Sequence, residues 1–101
     1  MTKRLFAVLR SRGPAWDEAR PLEGQAGWPA HAEFMDALAA EGFVAVGGPL
    51  EETRDALLVI RAKDAAEIVA RLAADPWTRS GLLVVKQISP WEVRLGRLAD
   101  A

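Results

Sequence analysis

A single histidine, His31, stands in a chain of 101 residues that contains no cysteine. Imidazole is the side chain whose ordinary proton affinity lies near neutral pH, so His31 is the first candidate for moving a proton. It precedes Met35 and Leu38 at helical spacing, which puts it on the inward stripe of a helix and within the first turn. A carboxylate against one ring nitrogen would fix the tautomer and favour the protonated ring, while the positive helix N-terminus would oppose protonation. Together they could poise a general base near neutrality. The candidate carboxylate is Asp75, in Ala73-Ala74-Asp75-Pro76-Trp77. At the C-terminal end of a helix a carboxylate is electrostatically disfavoured, and a nearby imidazole would offset that. Each residue also has a plainer reading. His31 can be a satisfied histidine capping the core, which spacing alone favours, and Asp75 a solvated pre-proline turn residue.

Aromatic residues cluster around the same positions. Trp28 directly precedes the first helix and Trp77 follows the second, so the two could wall an apolar pocket for a flat ligand. The commoner role for such residues is to plug helix ends. Trp16 lies in a long loop, as a lid residue or in a disordered segment, and Trp91 lies at the opposite end, as packing or a dimer contact. Gly47-Gly48-Pro49 reads as a turn, since it lacks phosphate-loop spacing and the following lysine; Gly48 and Pro49 are candidate pocket residues.

These residues must be positioned by a scaffold. Four apolar runs have strand character: Leu5–Leu9, Phe43–Val46, Ala56–Ile60, and Leu82–Val85 continuing to Ile88. A helix from about Pro29 to Glu41 carries Phe34, Met35 and Leu38 on its apolar stripe, with Gly42 as a left-handed stop. A second helix opens on Asp64 and Glu67, spaced as a capping box, carries Ile68, Val69 and Leu72, and ends at Asp75 before Pro76. Gly47 to Arg54 reads as a hairpin connection. The order β-α-β-β-α-β with right-handed crossovers gives a ferredoxin-like α+β fold with a four-stranded antiparallel sheet in the order 4-1-3-2. In that topology the end of strand one, the start of helix one, the Gly47-Gly48-Pro49 turn and the end of helix two all lie at the top. His31 and Asp75 therefore share one end despite their separation in sequence.

The strands do not alternate as a sheet with one wet face should. Leu57 and Val59 point one way, Leu58 and Ile60 the other, and two helices can bury only one face. The other face carries large apolar side chains, each worth roughly 1.5–3 kcal/mol on burial. A homodimer through this open face is the economical solution, with partial cover by the tail from Trp91 as the alternative. Residues 11–27 form a long Gly- and Pro-rich connection, a kind that is usually functional or disordered.

Composition narrows the classes. Length fits one domain, residues 1–101, and 50% hydrophobic residues allow a core. Thirteen basic against fourteen acidic residues, net charge −1, argue against a nucleic-acid partner. The absence of cysteine excludes disulfides, cysteine-ligated metals and a thiol nucleophile, and one histidine without clustered carboxylates is a weak metal set. No apolar run is long enough to span a bilayer and no signal segment opens the chain, so a cytoplasmic protein is expected.

Four features resemble the YCII-related (YciI-like) family: His31 opening helix one ahead of Phe34 and Leu38, the Gly42-Phe43…Gly47-Gly48-Pro49 stretch, Asp75-Pro76, and Pro90-Trp91. The resemblance covers Trp28 to Trp91 and implies a dimeric α/β barrel of this length. It also implies a histidine–aspartate dyad, here His31 and Asp75, acting without a cofactor in lyase-like or hydrolase-like steps, including dehalogenation, on small organic and ring compounds. Two departures stand out. Many relatives carry an arginine shortly before the histidine, where this chain has Gly27-Trp28-Pro29-Ala30, and the loop from Ser11 to Gly27 looks inserted. Arg20 in that loop is a candidate substitute for the arginine. The competing reading is a non-catalytic dimeric module that binds a small ligand or a protein partner.

Overall fold

Alternation in the first strand sets the frame. The computed structural model describes residues 3–98, and in it β1 (Arg4–Arg12) turns Phe6, Val8 and Arg10 to the buried side and Leu5, Ala7 and Leu9 to the other. β2 (Val44–Pro49), β3 (Asp55–Ala62) and β4 (Leu83–Pro90) complete an antiparallel sheet ordered β2-β3-β1-β4, which is 4-1-3-2 read from the other edge. β1 lies between β3 and β4, so its backbone is paired on both sides.

Among the described residues three α-helices accompany the sheet: α1 (Trp28–Ala40), α2 (Ala65–Leu72) and α3 (Pro76–Ser80). Leu38 of α1 and Ile68 and Leu72 of α2 pack with Phe6, Val8, Leu58 and Ile60 as the main core. Gly42 has φ +84, the left-handed stop expected after α1. Asp64 caps α2 by accepting the Glu67 N–H at 2.9 Å, while Glu67 reaches back to the Lys63 N–H at 2.9 Å. The reciprocal box closes one residue earlier than its usual form.

The second helix is shorter than its sequence suggests. It ends at Leu72, and Pro76 opens α3 instead of merely stopping α2. Proline excludes the helical conformation at the residue before it, which holds Asp75 extended (φ −65, ψ 127), and suits the first position of a new helix. Gly81 closes α3 at φ +80.

Gly47-Gly48-Pro49, expected as a turn, belongs to β2, where these residues pair with Leu58, Leu57 and Ala56. An irregularity between Val44 and Val46 carries the strand onward, and Pro49 is tolerated because β2 is an edge strand. Gly47 fits closely there: a Cβ would meet Leu58 Cδ2 at 2.5 Å and the Leu57 carbonyl at 3.3 Å, so a larger residue requires the Leu58 side chain to move. The turn proper is Leu50–Arg54, tied by Thr53 Oγ1 donating to the Leu50 carbonyl at 2.8 Å.

The segment 11–27 is neither loose nor a free lid. Its first two residues extend β1, and Leu22–Gly24 form one 3-10 turn. Gln25, buried, accepts the Asp17 N–H at 2.9 Å and donates to the Asp17 and Arg20 carbonyls at 2.8 and 2.9 Å, tying the loop from inside. Trp16 is buried with Trp77, Leu82 and Leu83 in a second, smaller core.

On the sheet face away from the helices, Val59 is only 4% exposed, whereas Val46 and Val84 are 53% and 42% exposed. The tail bonds back to β1 through the Trp91 N–H and the Leu5 carbonyl at 2.9 Å.

Candidate functional site

Asp75 is where three elements converge. Its backbone N–H reaches the Leu72 carbonyl at the end of α2, and its side chain caps α3 by accepting the Trp77 N–H on Oδ1 at 2.9 Å. The carboxylate thus meets the positive end of a helix, the reverse of the helix-two C-terminus expected from sequence. His31 Nδ1, from the first turn of α1, lies 2.9 Å from Oδ1 and 3.0 Å from Oδ2. Arg10, from β1, donates Nη1 to Oδ2 at 2.8 Å and Nη2 to Thr78 Oγ1 at 2.7 Å. Thr78 Oγ1 in turn donates to the Leu72 carbonyl at 2.8 Å.

All three ionisable groups are removed from water, with Asp75 0%, Arg10 1% and His31 8% exposed. Burial alone would raise the Asp75 pKa. The bonds from His31, the Trp77 N–H and Arg10 outweigh it and hold the carboxyl below its ordinary value. Because Asp75 takes Nδ1 as its partner, Nε2 is the ring atom left for a ligand.

Trp77 supports the imidazole from behind. The rings stack at 3.9 Å between centroids and 6° between planes, and Trp77 Nε1 donates to the Ala26 carbonyl at 2.8 Å. Trp16 meets Trp77 edge-on at 5.7 Å, and Trp28 is tilted against both Trp77 and His31 at 5.8 and 5.9 Å. In front of this aromatic wall lies an open cleft of about 650 Å³. His31, Trp28, Leu22, Met35 and Leu83 line it, with Gly48 and Pro49 on β2 and Glu51–Asp55 at the hairpin end. Among the described residues no group of three or more histidine, cysteine, aspartate or glutamate side chains is placed to hold a metal ion. No helix among them is long and apolar enough to cross a membrane.

The structure therefore brings together His31, Asp75, Trp28, Trp77, Gly48 and Pro49, residues the sequence singled out. Trp77, 1% exposed, backs the histidine and presents little surface of its own. Arg20 does not join them. It is exposed, pairs with Asp17 at 3.3 Å, and is not among the residues lining the cleft. The residue that sequence reasoning missed is Arg10. A signal existed, since Phe6, Val8 and Arg10 share one face of β1, and an arginine on a buried face requires an acceptor.

No curated protein and no solved structure gives a match to the chain. The family model for the YCII-related domain matches residues 5–92. The chain belongs to the YCII-related family.

Proposed function

We propose that this protein is a small cofactor-free enzyme in which His31, oriented by Asp75, takes or gives a proton on a small organic substrate held in the cleft. The observation that carries this reading is the hydrogen bond of His31 Nδ1 to a buried, ionised Asp75 at the wall of an apolar cleft. Nε2 is then a proton acceptor on a ring held by a stack on one face and a carboxylate on one edge. Trp28 and the aliphatic lining suit a flat, largely apolar substrate, including an aromatic one, with Gly48 and Pro49 as its far wall. One base supports a lyase-type step, in which it takes a proton from carbon and the electron pair left behind expels a leaving group, or a hydrolase-type step, in which it takes the proton of a water that displaces the leaving group.

A thermal-shift screen of small organic acids and phenols finds the ligand class, and turnover of the hits tests the chemistry. His31→Ala is expected to lower turnover by about 10²–10⁴-fold, the usual worth of general acid–base catalysis. Asp75→Asn loses activity with it, and wild-type rates follow a single histidine ionisation. Ligand binding without turnover, or unchanged turnover in His31→Ala, would favour a non-catalytic binding module.

The same reading includes a homodimer through the open sheet face. Its support is Val46 and Val84, exposed on the two edge strands of a face no helix covers, with half-buried Leu5, Leu9 and Leu57 on the strands between them. Sedimentation equilibrium is expected to give twice the 11.0 kDa chain mass, and Val46→Lys with Val84→Lys to give the monomer.

A further inference from the structure

The charges around His31 sum in an unusual way. With a neutral ring, Arg10 and Asp75 cancel, and a proton added to His31 leaves a net positive charge in a buried place. Without Arg10, the same proton would neutralise a buried anion. An imidazole beside a lone buried carboxylate binds its proton more tightly than one beside a carboxylate already paired with a guanidinium.

The geometry of Arg10 fits this task better than it fits simple stabilisation. Its two terminal nitrogens are divided between Asp75 Oδ2 and Thr78 Oγ1, a span that a lysine point charge cannot reproduce. Its Nε is buried with no hydrogen-bond partner, a desolvation cost that a purely structural filler would avoid. Apolar replacements of buried ion pairs are often neutral or stabilising, so the pair's presence calls for a reason other than folding energy.

We propose that Arg10 is a positioning residue that acts on His31 through Asp75: it locks the carboxylate against Nδ1 and, by offsetting its charge, holds down the proton affinity of the ring so that Nε2 stays open as a base. The inference rests on the reading of His31 as the proton-transferring group. The other charged groups facing the cleft are Arg12 of β1, Glu51, Glu52 and Arg54 of the hairpin turn, and Asp55 of β3. Arg12 and Arg54 both lie beside Glu18 and are more than a third exposed, so water screens them from the ring. On the helices, Glu33 and Asp36 of α1 and Arg79 of α3 are exposed.

His31 is the chain's one histidine, so its ring protons can be followed by NMR without assignment ambiguity. Arg10→Met and Arg10→Gln are expected to raise the midpoint of its titration by about one pH unit, a tenfold gain in proton affinity. Arg10→Lys, which keeps the charge, is expected to move it less. An unmoved or lowered midpoint in either folded neutral variant overturns the proposal. Where neither neutral variant folds, Arg10→Lys decides, because a point charge without the fork holds Asp75 less closely and weakens the offset: a raised midpoint supports the role and an unmoved or lowered one overturns it. The titration needs no substrate. Loss of turnover in His31→Ala with an unmoved midpoint in the Arg10 variants would refute the role of Arg10 alone. A raised midpoint with unchanged turnover in His31→Ala would uphold the electrostatics and refute the catalytic reading.

Discussion

Asp75→Asn is expected to lower the folding free energy by about 3–5 kcal/mol, the usual cost of breaking a buried ion pair from one side. Asparagine keeps an oxygen for the Trp77 N–H and for His31 Nδ1, so the cap and the ring contact survive in outline. What it removes is the charge, and Arg10, 1% exposed, then stays buried with no anion. For a domain of this size the loss corresponds to a melting temperature lower by about 12–40 °C. Asp75→Ala adds the loss of the α3 cap, worth about 0.5–2 kcal/mol more. The effect has a pH signature. The folded-state pKa of Asp75 is lowered, so its contribution is fully present above the ordinary carboxylate value of about 3.9 and is lost as pH falls through the folded value below it. Urea denaturation from pH 7 to pH 2 should show the gap between wild type and Asp75→Asn narrowing once pH drops below about 4.

Trp77→Ala carries the second large expected effect, about 3–5 kcal/mol for a buried aromatic truncated to alanine. Trp77 is 1% exposed, and its removal leaves Trp16 without its edge-on partner, Trp28 without one of its two tilted partners and His31 without its stack. Trp77→Phe separates the contributions. It keeps an aromatic face for the histidine but gives up the hydrogen bond from Nε1 to the carbonyl of Ala26, an exposed residue that water can serve instead, at a net cost of about 0.5–1.5 kcal/mol. Calorimetric melting of the two variants should rank them wild type, Phe, Ala. If alanine cost no more than phenylalanine, Trp77 would not be the keystone of the small core.

The strand order and the meeting of His31 with Asp75 were legible in the sequence because both depend on topology. Four short branched runs and two amphipathic helices admit few right-handed arrangements, and these bring the start of α1 and the chain after α2 to one end. The environment of Asp75 was harder to read. Asp-Pro after an apolar helix serves equally as a stop or as the cap of a new helix. The ambiguity is settled by Gly81, which closes α3 and returns the chain to β4. Gly47-Gly48-Pro49 misleads for a related reason, since glycine and proline mark turns in general but are also accepted on an edge strand. The order of residues 11–27 rests on Gln25, whose amide works through backbone groups of Asp17 and Arg20, and such side-chain-to-backbone ties leave no periodic trace. Arg10 escaped because the apolar run stops at Leu9, and a charge just past it reads as solvent-facing until its partner is known.

The cleft joins two kinds of wall. Its floor is the folding core itself, with Arg10 and Trp77 buried and Asp75 buried behind His31. Its rim at Leu50–Arg54 is a turn with exposed side chains. Changes at the floor put the whole domain at risk, whereas changes at the rim leave the core contacts intact. Divergence in what this scaffold accepts should therefore accumulate in the hairpin tip, and a library aimed at new ligands belongs there.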